Sequence, residues 1–324
     1  MLTKRLCLSV IFALGFAGLT DGSAFAQTYP TKQIKIVVAF PPGGSVDTLA
    51  RLLGEQIGKM TGQTVIVENR AGGGAIIAME AVARAQPDGN TLLINFNGQV
   101  INAMLRKVNY DPLTSFEPIC LLVNSPQLLV VNSDSPYRTL TDFVEAARAK
   151  PRQMSLASVG PGSTQQLASL RLMRSAGVEL TYVPFSGGAP ATNALLGGHV
   201  TAVLQNYSEA AQLLSAGKLR ALATTSPGRI EPLPDLPTVA ESGFANFAAE
   251  VWFGVVAPAK TPKEALSRLA GWFIAAMQVP ETRVKLVAQG LYPVGMCGAD
   301  FGDFIHKQYD EFGRIIRDAN VKAK

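Results

Sequence analysis

Apolar positions along the chain fall into short β-rich runs that alternate with stretches of helical spacing. Ile34-Lys35-Ile36-Val37-Val38-Ala39-Phe40 is a strand pattern stopped by Pro41-Pro42-Gly43-Gly44, and Val46, Leu49, Ala50, Leu53 and Ile57 then share one helical face. The same unit predicts a strand over 64–68, a helix over 75–85 and a strand over 91–95, after the Pro87-Asp88-Gly89-Asn90 turn. A second series starts near Pro126, with strands over 127–132, 154–158, 181–183, 200–204 and 219–224. Helices over 139–149, 164–176, 189–196 and 209–216 lie between them, the first capped by Thr139. A proline-rich loop from Pro227 to Pro237 leads to a strand over 251–257. Thr261-Pro262-Lys263-Glu264 then reads as the capped opening of a long helix, and Phe304, Ile305, Tyr309, Phe312 and Ile316 mark a terminal helix over 301–318. Such alternation predicts an α/β protein with a mostly parallel sheet covered by helices.

The N-terminus changes the length to be explained. Lys4 and Arg5 precede an apolar run from Leu6 to Leu19, and Ala24-Phe25-Ala26 offers small residues at a cleavage site, which together predict a Sec-type signal peptide over 1–26 and export to the periplasm. The run is shorter than the roughly 20 residues needed to span a bilayer. The 298 residues that remain of 324 suit two domains. With 48% hydrophobic and 16% charged residues, a disordered chain is excluded. The 29 basic and 24 acidic residues are spread without blocks, so no nucleic-acid partner is expected. His199 and His306 lack neighbours at ligand spacing, so neither a metal nor a cofactor is expected. Cys120 and Cys297 can pair in an oxidising compartment or stay as small buried hydrophobes; the sequence leaves both open.

Candidate chemistry lies in the turns between strands and helices. Gly43-Gly44-Ser45, Gly162-Ser163-Thr164 and Gly187-Gly188-Ala189 put small residues where a helix begins. Free N–H groups and the positive end of the helix dipole bind anions at such ends, and in an open α/β sheet these turns lie where ligands bind. More than one cradle suggests a ligand with more than one carboxylate. Asp47 either meets a ligand ammonium or caps the first helix. Ser163 and Ser186 raise the alternative of a secreted serine hydrolase, but Gly-x-Ser-x-Gly is absent and no base is placed beside either serine.

An ordered set of motifs resembles the Bug (TctC-like) family of extracytoplasmic receptors of tripartite tricarboxylate transporters. It comprises Tyr29-Pro30, Ala39 to Asp47, Val67-Glu68-Asn69-Arg70, Pro87 to Leu93, Leu233-Pro234-Asp235-Leu236-Pro237-Thr238 with Glu241 and Gly243, and Trp252-Phe253-Gly254 through Ala257-Pro258. The resemblance implies a two-domain periplasmic-binding-protein fold of the type II-like, Venus-flytrap kind with a two-strand hinge. Residues 27–127 and 251–324 would form one domain and 128–250 the other. It implies a monomeric, non-enzymatic receptor that closes on a small di-, tri- or aromatic carboxylate and delivers it to one large and one small integral membrane subunit. A receptor for a membrane sensor is the alternative.

By position, the resemblance assigns the ligand site to Pro42, Gly43, Gly44, Ser45 and Asp47, to Asn95 and Asn97, and to Gly162, Ser163 and Thr164. It adds Ser186, Gly187, Gly188 and Ala189, then Gln205 and Asn206. Phe96, Phe185 and Tyr207 lie near these turns. Three departures stand out: Gln165-Gln166 occupies the place of a family histidine, Gly74-Ala75-Ile76 replaces a Gly-Gly-Asn stretch, and Gln205-Asn206 replaces an Asp-Asn pair. Loss of that acid favours a plain carboxylate over an amino acid.

Overall fold

The computed structural model describes residues 29–30, 32–160 and 163–318; the expected signal peptide over 1–26 and its cleavage site lie outside the described residues. The chain opens with β1 (Ile34–Val38), α1 (Ser45–Thr61), β2 (Val65–Asn69), α2 (Ile76–Ala83) and β3 (Thr91–Phe96). β1 pairs in parallel with both β2 and β3. Its Val/Ile-rich run is buried on both faces, as a central parallel strand requires. α3 (Gly98–Leu105) follows at once, an element the sequence pattern did not announce. Its apolar stripe of Val100 and Ile101 is short and is broken by buried Gln99 and Asn102.

β4 (Phe116–Asn132) is the longest strand and serves two sheets. From Phe116 to Pro126 it runs antiparallel to β9 (Glu250–Pro258), and from Gln127 onward it pairs with β7 (Ala202–Asn206) and β8 (Leu219–Thr224). Sequence pattern yielded only its second half, because Pro118 and Pro126 interrupt the first. Register shifts beside Pro118 and after Leu121 absorb the irregular stretch.

The second sheet is completed by β5 (Ser155–Val159), parallel to both β6 (Thr181–Phe185) and β7. Helices α4 (Leu140–Ala149), α5 (Thr164–Ala176), α6 (Gly188–Leu196) and α7 (Tyr207–Ser215) connect its strands. Thr139 caps α4 as expected: its hydroxyl accepts the Asp142 N–H at 3.1 Å, and the Asp142 carboxylate accepts the Thr139 N–H at 3.0 Å.

The chain then returns along β9 to the first sheet and adds α8 (Lys263–Gln278), α9 (Pro280–Ala288), β10 (Tyr292–Cys297) and α10 (Ala299–Asp318). Thr261 does not cap α8. The extended ψ of 139° at Pro262 delays the helix to Lys263, and the Thr261 hydroxyl donates to the Pro258 carbonyl at 2.7 Å instead. Pro280 ends the continuous helix that the pattern suggested, as a ring without an N–H must.

Apolar burial divides with the sheets. One cluster draws on Ile34 to Val123 and Val251 to Ile316, with Leu167 reaching in, while two others, on either face of the second sheet, draw on Leu128 to Phe247. The lobes are joined where β4 and β9 pair as Asn124 with Trp252, Ser125 with Val251 and Pro126 with Glu250.

Cys120 of β4 and Cys297 of β10 are cross-strand partners and form a disulfide, the first of the two alternatives left open by the sequence. The bond closes a loop with a sequence separation of 177 and ties the last strand to the first lobe. Replacing both cysteines by alanine should cost about 2–4 kcal/mol and lower Tm by roughly 5–15 °C. Thermal melts of the double variant check this; an unchanged midpoint would show that hydrogen bonding between β4 and β10 suffices.

Candidate functional site

The turn after β1 is shaped by a carboxylate buried beside it. Gly43 has φ +88°, a left-handed backbone that favours glycine, and its N–H donates to Asp47 Oδ2 at 3.0 Å. Arg51 Nε donates to the same oxygen at 2.9 Å, and Asn69 Nδ2 donates to Asp47 Oδ1 at 2.9 Å. Burial pushes the Asp47 carboxyl up, but the hydrogen bonds from Arg51, Gly43 and Asn69 outweigh it and hold the group below its ordinary range. Asp47 is therefore occupied with the turn. The result is that Gly44 and Ser45, at the start of α1, are presented at the carboxyl end of β1, toward the second lobe.

Helix starts from the other lobe meet them. A cavity of about 40 Å³ is bordered by Pro42, Gly44 and Ser45 from the first lobe and by Gly187, Gly188 and Ala189 at the start of α6, with Asn206 at the start of α7. Gln165 in the first turn of α5 completes the polar border, while Phe40, Phe96, Val159, Val251 and Phe253 supply apolar wall. Asn206 Nδ2 donates to Ser45 Oγ at 3.1 Å, Gln165 Nε2 donates to Asn206 Oδ1 at 3.1 Å, and the Ser45 and Ser208 hydroxyls are hydrogen-bonded to each other. The lobes thus close on one another through Ser45.

Within this border sits Glu209, in the first turn of α7. Its Oε2 is shut off from solvent and has no hydrogen-bond partner, while the rest of the side chain borders the cavity. Burial raises its carboxyl to about 7, and a hydrogen bond from the Asn206 backbone opposes the shift only in part. Gly44 lies close by: a Cβ there would stand 3.7 Å from Glu209 Oε1. At Gly188 an added Cβ would overlap the Glu209 carboxyl itself, so only glycine leaves room for it.

Beyond Phe40 and Phe96, whose rings lie 5.0 Å apart, a larger chamber of about 510 Å³ extends. Ala71 to Ala75, Ser163, Pro184, Phe185 and Ser186 line it, and Phe40, Pro41, Phe96 and Val159 border both spaces. The inner cavity has room for a head group of a few atoms; the outer one accommodates a longer body.

The sequence-based site is divided by this geometry. Pro42, Gly44, Ser45, Gly187, Gly188, Ala189 and Asn206 come together at the inner cavity, and Ser163 and Ser186 at the outer chamber. Gly162 lies outside the described residues. Asn95 and Asn97 turn inward, because alternation along the strand gives them the face opposite Phe96. Asn95 Nδ2 donates to Gln99 Oε1 at 2.8 Å, and Asn97 Oδ1 accepts the Trp252 N–H at 3.1 Å. Gln205 is buried under α6, where its Oε1 accepts the Thr192 hydroxyl at 2.5 Å. Thr164 borders a separate groove behind the hinge, and Gly43 and Asp47 shape the turn without lining the cavity. Glu209 and Gln165 were missed as site residues. A helix-start acid reads as dipole complement, and only the buried, unpartnered Oε2 reveals another use.

Two α/β lobes joined by crossing strands, with helix starts from both facing one cleft, define a periplasmic binding protein. The chain belongs to the tripartite tricarboxylate transporter family of receptors, whose sequence model matches residues 49–321. A UPF0065 protein from the tcbD-tcbE intergenic region of Pseudomonas sp. strain P51 is 36% identical over 94% of this chain and 92% of its own length. Among solved structures, R. palustris Rpa4515 with adipate is 33% identical with a TM-score of 0.87, covering 91% of this chain and 99% of its own. MatC of Rhodopseudomonas palustris with bound malate is 30% identical with a TM-score of 0.83, covering 89% of this chain and all of its own. The family is one of substrate-binding receptors that work with a membrane transporter.

The raised Glu209 carboxyl has a consequence for stability. Its proton is held to about pH 7 in the folded chain, against an ordinary value of 4.5. Folding therefore loses stability as pH rises from about 4.5 to 7, and the loss is complete above that. Glu209→Gln removes the loss, so its stability advantage over wild type should open across this window and reach roughly 3 kcal/mol at pH 8. Urea unfolding at pH 4.5 and pH 8 checks this; an equal difference at both would contradict the burial of an ionising group.

Proposed function

We propose that this chain is exported by cleavage of residues 1–26 and works as a receptor that traps a small organic carboxylate between its lobes, for hand-over to one large and one small membrane subunit. The carrying observation is that helix starts from both lobes converge on one cavity bordered by no Lys or Arg. Backbone N–H groups at such starts bind an anion without the desolvation cost of a buried cation. Closure around them rewards a ligand that touches both lobes. The similar proteins holding adipate and malate support a dicarboxylate. We place the lobes at 27–127 with 251–324 and at 128–250, on the division of the apolar clusters.

An enzymatic reading has no support from the serines. Ser163 Oγ donates to the Val159 carbonyl at 2.7 Å and accepts the Gln166 N–H at 3.1 Å, which makes it the cap of α5. Ser186 lies on the exposed rim.

A thermal-shift panel of adipate, malate, succinate and citrate tests the proposal. A ligand at a hundred times its Kd adds about 2.7 kcal/mol to the folded state, which raises Tm by roughly 5–10 °C; no shift with any carboxylate refutes the reading. Gly188→Val should abolish the shift, because the added side chain takes the space of the Glu209 carboxyl. Retained binding by that variant would move the ligand elsewhere.

A further inference from the structure

The cavity contains an acid where a receptor for acids would be expected to have none. Glu209 turns its carboxyl to the starts of both lobes' helices, with Oε1 near Gly44 of α1 and the buried, unpartnered Oε2 beside Gly188 of α6, where a ligand carboxylate would meet the N–H groups of those helix starts. Two ionised carboxylates in contact inside a water-poor site repel strongly, and such pairs resolve the conflict by sharing one proton. A ligand ammonium would be the other way to satisfy Glu209.

The surroundings favour the proton. From the turn and α1 the cavity receives Pro42, Gly44 and Ser45; from α5, Gln165; from α6, Gly188, Ala189 and Pro190; from β9, Val251 and Phe253. Glu209 is the sole titratable group among the residues that border it. The nearest acid on α1, Asp47, is engaged by Gly43, Arg51 and Asn69. Tyr207, on the same helix, packs toward Gly290. The site thus has one acid among N–H donors and apolar wall, with no second acid to help hold an ammonium.

Resting on the reading of the chain as a carboxylate receptor, we propose that Glu209 determines head-group specificity as a neutral carboxylic acid that donates a hydrogen bond to the ligand carboxylate, so that a receptor whose Glu209 is ionised must take one proton from solvent to bind. Burial prepares it for this role by raising its carboxyl to about 7. The bound pair carries one negative charge, which the helix starts stabilise. Above pH 7 the proton must be recruited, and affinity should fall tenfold with each pH unit.

Calorimetry of adipate, malate, succinate and aspartate at pH 5.5 and pH 8.5, each in two buffers of different ionisation heat, tests the proposal. Wild type should bind a non-amino dicarboxylate about thirtyfold more weakly at pH 8.5 than at pH 5.5, from the raised carboxyl. Its binding heat at pH 8.5 should depend on the buffer as uptake of one proton requires, a readout that needs no variant. Glu209→Gln, shown to fold by its circular dichroism, should bind with no such pH dependence and outperform wild type at pH 8.5. Binding without pH dependence or proton uptake overturns the role of Glu209 and leaves the receptor intact. Preference for aspartate that disappears in Glu209→Gln assigns the residue to an ammonium and overturns the proton. Absence of binding by all four ligands, at both pH values and in both proteins, refutes the carboxylate receptor and this inference with it.

Discussion

A helix leaves its first N–H groups without partners, and where several helices begin around one space those groups must find an acceptor there. In this chain α1, α6 and α7 begin at one cavity, with the first turn of α5 beside them. The small residues of the turns follow from that constraint. Bulky side chains at Gly44, Gly187 or Gly188 would fill the space the donors face. Asp47 follows from it too, since a turn so poor in side chains needs an internal brace to hold its backbone. Glu209 stands among these starts with one oxygen, Oε2, that none of them satisfies.

Crossing strands make this arrangement movable. β4 and β9 change lobes side by side over a short ladder at Asn124 to Pro126, and the apolar interiors stay separate except for Leu167, which reaches from the second lobe into the first. Across the cleft, Ser45 meets Asn206 and Ser208 through hydrogen bonds between small polar groups. Such bonds exchange readily with water, so the closed arrangement is held weakly enough for a ligand's contacts to decide the balance.

Much of the fold was legible because strand and helix periods alternate cleanly. α5 and β8 match their expected ranges, and the Thr139 cap was visible in four letters of sequence. Two other features were hidden. β4 is a single strand that contains prolines, and its continuity comes from partners far away in sequence. β10 is half-buried and interrupted by Pro293 and Gly295, and its pairing with β4 is not a local property. At the site, turn chemistry located the helix starts, but not which neighbouring side chain turns toward the cavity. Asn95 and Asn97 lost that place to Phe96, and Gln205 lost it to Asn206, each by one step of strand alternation. Glu209 announced nothing in sequence, since its significance lies in the partner that its buried Oε2 lacks.

The pair of chambers on either side of Phe40 and Phe96 separates two tasks. The polar side chains Gln165, Asn206 and Glu209 border the inner space, and the outer one is walled mainly by glycines, Phe185 and Pro184, with Ser163 and Ser186. Side chains that share no partners act nearly independently on binding energy. If the inner space holds the acid group as proposed, a lineage can exchange residues of the outer wall and acquire a new diet of longer, branched or ring-bearing acids, while that grip is inherited unchanged.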